Sequence, residues 1–468
     1  MSRDSEILAG LLALPPLPLI VEAAAAHPAP VLLVGGALRD ALLGRPPADL
    51  DIAVGGDLPG FLDRFAAACG RRPVAIQDAW RDTHRTICAG IQVDVALLLG
   101  AVEQDLGKRD FTINAMALPL GAADPRAGGN DGKRGEWEIA APGPGRIDPE
   151  GLRQTSGVID PFGGRRDLDA RTIRALSAAA LAEDPLRMLR AARYVATLDG
   201  FEIDAQSRSW IAAGAAAIEA VAGERIQSEW ALLLAGRSWG TGVAAAYELG
   251  LGPRTLVAAG ELQGVAAWEA HERGLGGTGG ATEESGTSRF VEDRVTGRLA
   301  ALLSDADLET PDNALLPRGQ MAESLQTVLT GRRWPKAVAR RAARIAAWAA
   351  DLDGELAADT LVDRALADHA AAARAALLAR ARAEYRGGAA PKACETLELL
   401  ARRAAEERWV SGAELRDWGV PQGPELGALL EELARGQLQR RWPTADAARE
   451  WARRRAESMA APWRAAGT

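Results

Sequence analysis

The sequence predicts an α+β chain: a mixed β-sheet with helices near the N-terminus, followed by a neck, body and tail that are all helical. Three observations predict this. Between about residues 29 and 117, short apolar runs ending in glycine alternate with helical segments. From about Arg166 onward the apolar spacing is almost entirely helical. No solenoid-type repeat interrupts either part.

The elements follow in order. "PVLLVGG" reads as a buried strand ending in glycines, and "ALRDALLG" as a short helix stopped at Gly44. "LDIAV" is a strand, "LPGFLDRFAAACG" a helix, and "IQVDVALLL" a strand with period-two character. Residues 121–147 are rich in Gly, Ala and Pro and read as a loop insertion. Helical text then runs through "EDPLRMLRAARYVATL" and "DAQSRSWIAAGAAAIEAVAGERIQSEWALLLAG". The predicted division is an N-terminal extension over 1–28, a head over 29–165 and a helical neck and body over 166–271. A flexible linker over 272–290, a further helical body over 291–405 and a tail over 406–468 complete it.

Composition narrows the function. The 468 residues are 48% hydrophobic and carry a formal net charge of −8, which excludes a uniformly basic coat but not a basic groove. Cys69, Cys88 and Cys394 show no Cys-x-x-Cys spacing, which points to reduced thiols in a cytoplasmic protein. The four histidines form no metal-ligand pattern. No apolar run reaches the ~18 residues that span a bilayer. The opening "ILAGLLALPPLPLI" is broken by prolines and lacks a basic leading segment, so no signal peptide is expected.

Asp49 and Asp51 lie on one face of a strand, with Leu50 and Ile52 turned to the other. Adjacent acids repel unless a cation joins them, and a magnesium ion takes one or two carboxylates plus phosphate oxygens. Asp94, flanked by Val93 and Val95 in the next strong strand, is a candidate third acid. A solvated strand end would read the same way. The upstream Gly35 and Gly36 favour the site reading, because they let the backbone approach a ligand and precede a helix N-terminus that suits a phosphate. Arg39 falls within reach of the same phosphate. Acids for a metal, with amides and arginine for phosphate, describe a nucleoside triphosphate site.

Five ordered stretches then resemble one family. "GGALRD…LLGR…DLDIAV", "KRDFTINAMAL", "IDPFGGRRDLDARTIRAL", "EDPLRMLRAARYVATLDGFEID" and "VAGERIQSEWALLL" are similar to the motifs of class II tRNA nucleotidyltransferases and bacterial poly(A) polymerases. The segment "VSGAELRDWGVPQGPELGALLEELARGQL" resembles the family's tail. The resemblance implies a nucleotidyltransferase head, Mg2+ held by Asp49 and Asp51, CTP and ATP as substrates, and the tRNA 3′ end as partner. It also implies a protein template for the incoming base. Asp184 would accept from the amino group of cytosine or adenine, and Arg187 would donate to the neighbouring ring acceptor.

Asp184, Arg187, Arg190 and Arg193 recur every three residues, which on a helix makes a drifting stripe. A solvated basic face would show the same spacing. Arg109, Arg190 and Arg193 would contact phosphates or hold the template pair. Asn114 would position the sugar or backbone, or else be a buried asparagine capping a strand. An RNA path is expected at "GRRWPKAVARRAARIAAW", where Arg332, Arg333, Lys336, Arg340, Arg341 and Arg344 occur without an acid. An amphipathic helix with a solvated basic face is the other reading.

Three functions compete: addition of C, C and/or A to tRNA, polyadenylation of RNA 3′ ends, and a non-catalytic RNA-binding protein. The run "VALLLGAVEQDLGK" between Asp94 and Arg109 is short and lacks arginine. In relatives that add all three nucleotides this interval is usually longer, with a flexible loop that helps the switch from C to A. CC addition alone is therefore one expectation and full CCA addition the other.

Overall fold

The computed structural model describes residues 10–77, 82–121, 157–257, 262–274, 288–303, 318–352 and 356–465. The chain divides into two compact units, residues 1–220 and 221–468.

The first unit is built on a mixed six-stranded sheet. Its strands are β1 (Val31–Val34), β2 (Asp49–Val54), β3 (Val74–Gln77), β4 (Asp82–Cys88), β5 (Ile91–Leu97) and β6 (Ala117–Pro119), in the order β3-β4-β5-β2-β1-β6. β2 and β5 are parallel; the other pairs are antiparallel. Strands β3 and β4 escape a sequence reading because β4 inverts the usual pattern. Thr83, Thr86 and Cys88 are buried while Ile87 is 55% exposed. Helix α1 (Pro16–Ala25) packs on α3 (Leu58–Cys69) through Leu17, Ile20 and Ala24, all fully buried. The described part of the predicted N-terminal extension is thus built into the core. His27 fastens its end: Nε2 donates to the Gly55 carbonyl at 2.7 Å and Nδ1 accepts from Arg64 at 2.6 Å.

The compact unit also continues past the head boundary read after residue 165. Helices α2 (Gly36–Leu42), α4 (Val102–Leu106) and α5 (Gly164–Asp169) flank the strands. Strand β7 (Thr172–Ile173) pairs with β8 (Glu202–Ile203). Thr112 N–H donates to the Arg174 carbonyl at 2.9 Å, and its hydroxyl donates to buried Asp167 at 2.8 Å. These bonds tie the start of the predicted neck to the segment beside β6. Two helices follow, α6 (Ala178–Glu183) and α7 (Leu186–Thr197), then α8 (Ala205–Gly214).

The second unit is helical throughout its described residues. It comprises α9 (Gly223–Ala235), α10 (Trp239–Glu248), α11 (Gly252–Thr255), α12 (Gln263–Gly274), α13 (Ser288–Leu303), α14 (Arg318–Gly331), α15 (Lys336–Asp351), α16 (Ala358–Ala367), α17 (His369–Tyr385) and α18 (Lys392–Ala405). The tail adds α19 (Gly412–Asp417), α20 (Pro424–Leu438) and α21 (Ala445–Ala465), around a core of Val410, Leu415, Leu429, Leu433 and Trp442. Tryptophans serve packing here: Trp230, Trp239, Trp268, Trp334 and Trp442 are all buried.

Glu272, read as the first linker residue, instead closes α12 into the body. Its carboxylate accepts from Trp239 at 3.0 Å, Trp268 at 3.1 Å and the buried Arg298 at 3.0 Å. A carboxylate with that many donors cannot begin a free linker. The rest of the predicted linker over 275–287, and the insertion over 122–156, lie outside the described residues.

Candidate active site

The turn from β1 into α2 brings a backbone against the acids of β2. Gly35 sits at φ +81°, a conformation that side chains with a Cβ avoid. A Cβ there would stand 2.6 Å from Arg109 Nη1 and 2.9 Å from Asp51 Oδ2. Glycine is therefore required by space as well as by conformation, and Gly35, Asp51 and Arg109 converge at one point. A Cβ at Gly36 would come first against the Arg39 guanidinium, at 3.4 Å.

Asp49 and Asp51 share the expected strand face, with Leu50 and Ile52 in the core. Register places Asp94 of β5 directly beside Asp51 and Arg85 of β4 directly beside Asp94. The Asp51 carboxyl is pushed up to about 6 by burial, with Asp49 and Asp94 adding to the rise and Arg109 and Arg190 opposing it. Asp49 is shifted upward too, first by burial and then by Asp94 and Asp40.

Two crowded carboxylates beside an open glycine turn suit a hard cation that completes its shell with water and phosphate oxygens. Among the described residues no group of three or more His, Cys, Asp or Glu is placed to hold an ion. The fit is to a site of two carboxylates, Asp49 and Asp51. Asp94 stands beside this pair, on the neighbouring strand where a third acid was expected. Its two oxygens accept from Arg85 Nε at 2.8 Å and Nη2 at 2.7 Å.

Behind this face lies a buried polar network. Asn114 closes a 3-10 turn (Thr112–Asn114) and is 4% exposed. Its carbonyl oxygen accepts from Arg39 Nη1 at 2.7 Å, and its Nδ2 donates to Asp110 at 2.8 Å and to the Tyr194 hydroxyl at 2.9 Å. Both ends of the Asn114 amide are thus engaged by protein groups. Arg39 joins the same network. Only 9% exposed, it is engaged by Asn114 and by Asp40 at 2.7 Å, which braces the turn.

Asp184 precedes α7 instead of lying on it. It occupies the extended break after α6, because Pro185 supplies no backbone donor and disfavours helix in the residue before it. Asp184 Oδ1 accepts from Leu186 N–H at 3.3 Å. On α7, Met188, Leu189 and Ala192 are buried, leaving the arginines on the other side. Arg187 donates to the Ala180 carbonyl at 2.9 Å and to the Lys108 carbonyl at 2.8 Å, which joins the start of this helix to the segment carrying Arg109.

Arg190 pairs with Asp110 at 3.0 Å and donates to the Tyr194 hydroxyl at 3.1 Å. The Tyr194 ring has Arg193 at 4.4 Å and Arg39 at 5.0 Å from its centroid. Burial alone would raise the Asp110 carboxyl, but Arg190, Asn114, the Phe111 amide and Arg187 together hold it below the ordinary carboxylate range.

Sequence reasoning passed over Asp110, Tyr194 and Arg85. Asp110 lay inside the quoted "KRDFTINAMAL", and Tyr194 beside the arginine stripe; Arg85 gave no signal because its strand was not recognised.

The basic stretch divides as well. Arg332, Arg333, Lys336 and Arg340 are exposed, with Arg333 3.5 Å from Glu224. Arg341 and Arg344 instead share Asp368, at 3.5 and 3.3 Å. The acid missing from the local sequence is supplied by the residue that precedes α17.

A family model described as "Probable RNA and SrmB- binding site of polymerase A" matches residues 200–254. A CC-adding tRNA nucleotidyltransferase of Geobacter sulfurreducens is 37% identical over 220 residues, covering 46% of this chain and 43% of that relative. Over this part the chain is similar to CC-adding and CCA-adding tRNA nucleotidyltransferases. Another relative, a multifunctional CCA protein of Variovorax paradoxus, is 34% identical over 222 residues, or 42% of this chain and 44% of that protein. The chain thus spans under half the length of these curated relatives.

Solved structures of CCA-adding enzymes share the fold. The Thermotoga maritima CCA-adding enzyme complexed with tRNA matches with a TM-score of 0.61 at 20% identity, covering 96% of this chain and 97% of the other. The Bacillus stearothermophilus CCA-adding enzyme in complex with CTP matches with a TM-score of 0.56 at 23% identity, covering 98% and 99%. Among the described residues, no helix is long and apolar enough to cross a membrane.

Proposed function

We propose that this chain is a cytoplasmic, template-independent nucleotidyltransferase that adds C, from CTP, to the 3′ end of tRNA. The observation that carries the reading is the Asp49–Asp51 pair on an open strand face, beside the Gly35 turn and Arg109. The names of the relatives support the choice of tRNA as acceptor and of C as the nucleotide added.

Asp49 and Asp51 would hold Mg2+, which when bound would neutralise phosphate charge and favour attack by an RNA 3′-hydroxyl on the α-phosphate. The Gly35 turn admits the triphosphate close to the backbone, and Arg109 faces the same point. Asp184 accepts from the amino group of cytosine or adenine; uracil and guanine present a carbonyl there and are rejected. A guanidinium carries five N–H groups. Two of those on Arg187 serve the Ala180 and Lys108 carbonyls, and the reading places others on the ring acceptor. Arg190 and Arg193 stay with Asp110 and Tyr194 and keep this helix in place. The exposed Arg332, Arg333, Lys336 and Arg340 would meet tRNA phosphates.

We infer that the addition stops at CC. The run between Asp94 and Arg109 is short and packed: β5 ends at Leu97, and Val102, Asp105 and Leu106 of α4 are at most 1% exposed. Such a segment has little freedom to rearrange the base site. Full CCA addition from CTP and ATP is the second reading, favoured by relatives that are multifunctional CCA proteins.

The test supplies each labelled nucleotide separately to tRNA transcripts ending at the discriminator, at C and at CC. The expected products are C additions on the first two and none on the third. Efficient single-A addition to the CC end would move the chain to full CCA synthesis. An A tract on unrelated RNA would make it a poly(A) polymerase. Asp51→Ala should abolish incorporation, and Arg187→Ala should admit UTP and GTP. Full activity in Asp51→Ala would overturn the carboxylate assignment.

A further inference from the structure

One ion pair stands inside the open face of the sheet. Arg85 holds the Asp94 carboxylate with both Nε and Nη2, at 2.8 and 2.7 Å, and Gln92 Nε2 adds a longer bond at 3.4 Å. Asp94 lies beside Asp51 in the register, so the row across the sheet runs Arg85, Asp94, Asp51, Val34. Neighbouring strands are ~4.8 Å apart. Without Arg85, three carboxylates would crowd two adjacent strands. Arg85 is 45% exposed and Asp94 16%, and a pair with so open a partner adds little to stability. Its place in the row is the distinctive feature.

We propose that Arg85 is a positioning residue of the metal site, which withholds Asp94 so that a divalent cation is held by Asp49 and Asp51 alone. The proposal rests on the reading of those two acids as the cation pair. Ligand charge and number set how tightly such a site grips its ion. With the pair made, the cation meets two carboxylates and can exchange with each nucleotide; with Arg85 replaced, Asp94 joins as a third ligand and displaces a water.

The experiment uses the full chain and Mn2+ without nucleotide, reading free Mn2+ by electron paramagnetic resonance and bound waters by proton relaxation. Circular dichroism checks that each variant is folded. Arg85→Gln should bind Mn2+ about tenfold more tightly, with about one water fewer on the ion. Arg85→Lys, which keeps the charge beside Asp94, should stay near the parent, and Arg85→Gln/Asp94→Asn should return to it. Asp51→Asn should lose Mn2+. If Arg85→Gln leaves affinity and water count unchanged, the pair is only a cross-strand brace and the proposal fails, while the cation assignment survives. If Asp51→Asn binds as the parent does, the cation assignment itself fails and takes the proposal with it.

Discussion

Helices α7 and α15 look alike in sequence and behave differently. Both carry arginine at three- or four-residue spacing on one side and small or apolar residues on the other. On α7 the arginines meet partners inside the unit: Arg187 the carbonyls of Ala180 and Lys108, Arg190 Asp110, and Arg193 the Tyr194 ring. On α15, Arg341 and Arg344 share one acid, Asp368, and Lys336 and Arg340 stand in water. Periodicity describes which side of a helix is polar. It does not say whether that side faces solvent or a buried polar network.

The largest expected effect comes from breaking the buried side. Arg190→Ala strands the Asp110 carboxylate, which is 4% exposed, with only its Asn114 and Phe111 donors. Removing one partner of a buried pair costs about 3–5 kcal/mol; Arg190 is 32% exposed, so the low end, about 3 kcal/mol, is expected. Urea unfolding followed by circular dichroism measures it. A loss below about 1 kcal/mol would make this arginine no more than a surface residue.

The acids facing this network sharpen the contrast through pH. The Asp51 carboxyl lies at about 6 in the folded protein, against an ordinary value of 3.8. A carboxyl raised on folding favours the folded state fully below the ordinary value, and that stability is lost as pH rises through about 6. Metal-free protein should therefore lose about 2 kcal/mol between pH 4 and pH 6.5 from this group. Asp51→Asn should flatten that slope, read from urea midpoints in chelator across the range. An equally steep fall in the variant would assign it to other groups.

On α15 the effects should be small. Arg344→Ala should cost no more than about 1 kcal/mol, since Arg341 still holds Asp368. Arg340→Ala should change stability by under about 0.5 kcal/mol, and should lower the salt dependence of tRNA binding by about one phosphate contact. Filter binding at several salt concentrations checks this. An unchanged salt slope would leave Arg340 a solvated cation and remove it from the RNA path.

Local pattern alone determined a good deal. β2, with acids on one face and apolar residues on the other, follows from alternation, and Gly35 follows from the need for close approach. The helical neck, body and tail follow from spacing, and the ordered motifs carry the resemblance to tRNA nucleotidyltransferases. These features are legible because each depends on residues a few positions apart.

Only the tertiary structure decided the partners. Asp94 and Arg85 are nine residues apart in the chain, yet their pairing depends on the register of β4 against β5. Asn114 and Tyr194 are 80 residues apart, and Arg39 and Asn114 75. The acid for Arg344 lies 24 residues away. A charged side chain carries the same charge wherever it is placed. Whether it binds a ligand, braces a neighbour or meets water is set by which groups the fold brings within about 3 Å, the range at which a hydrogen bond forms.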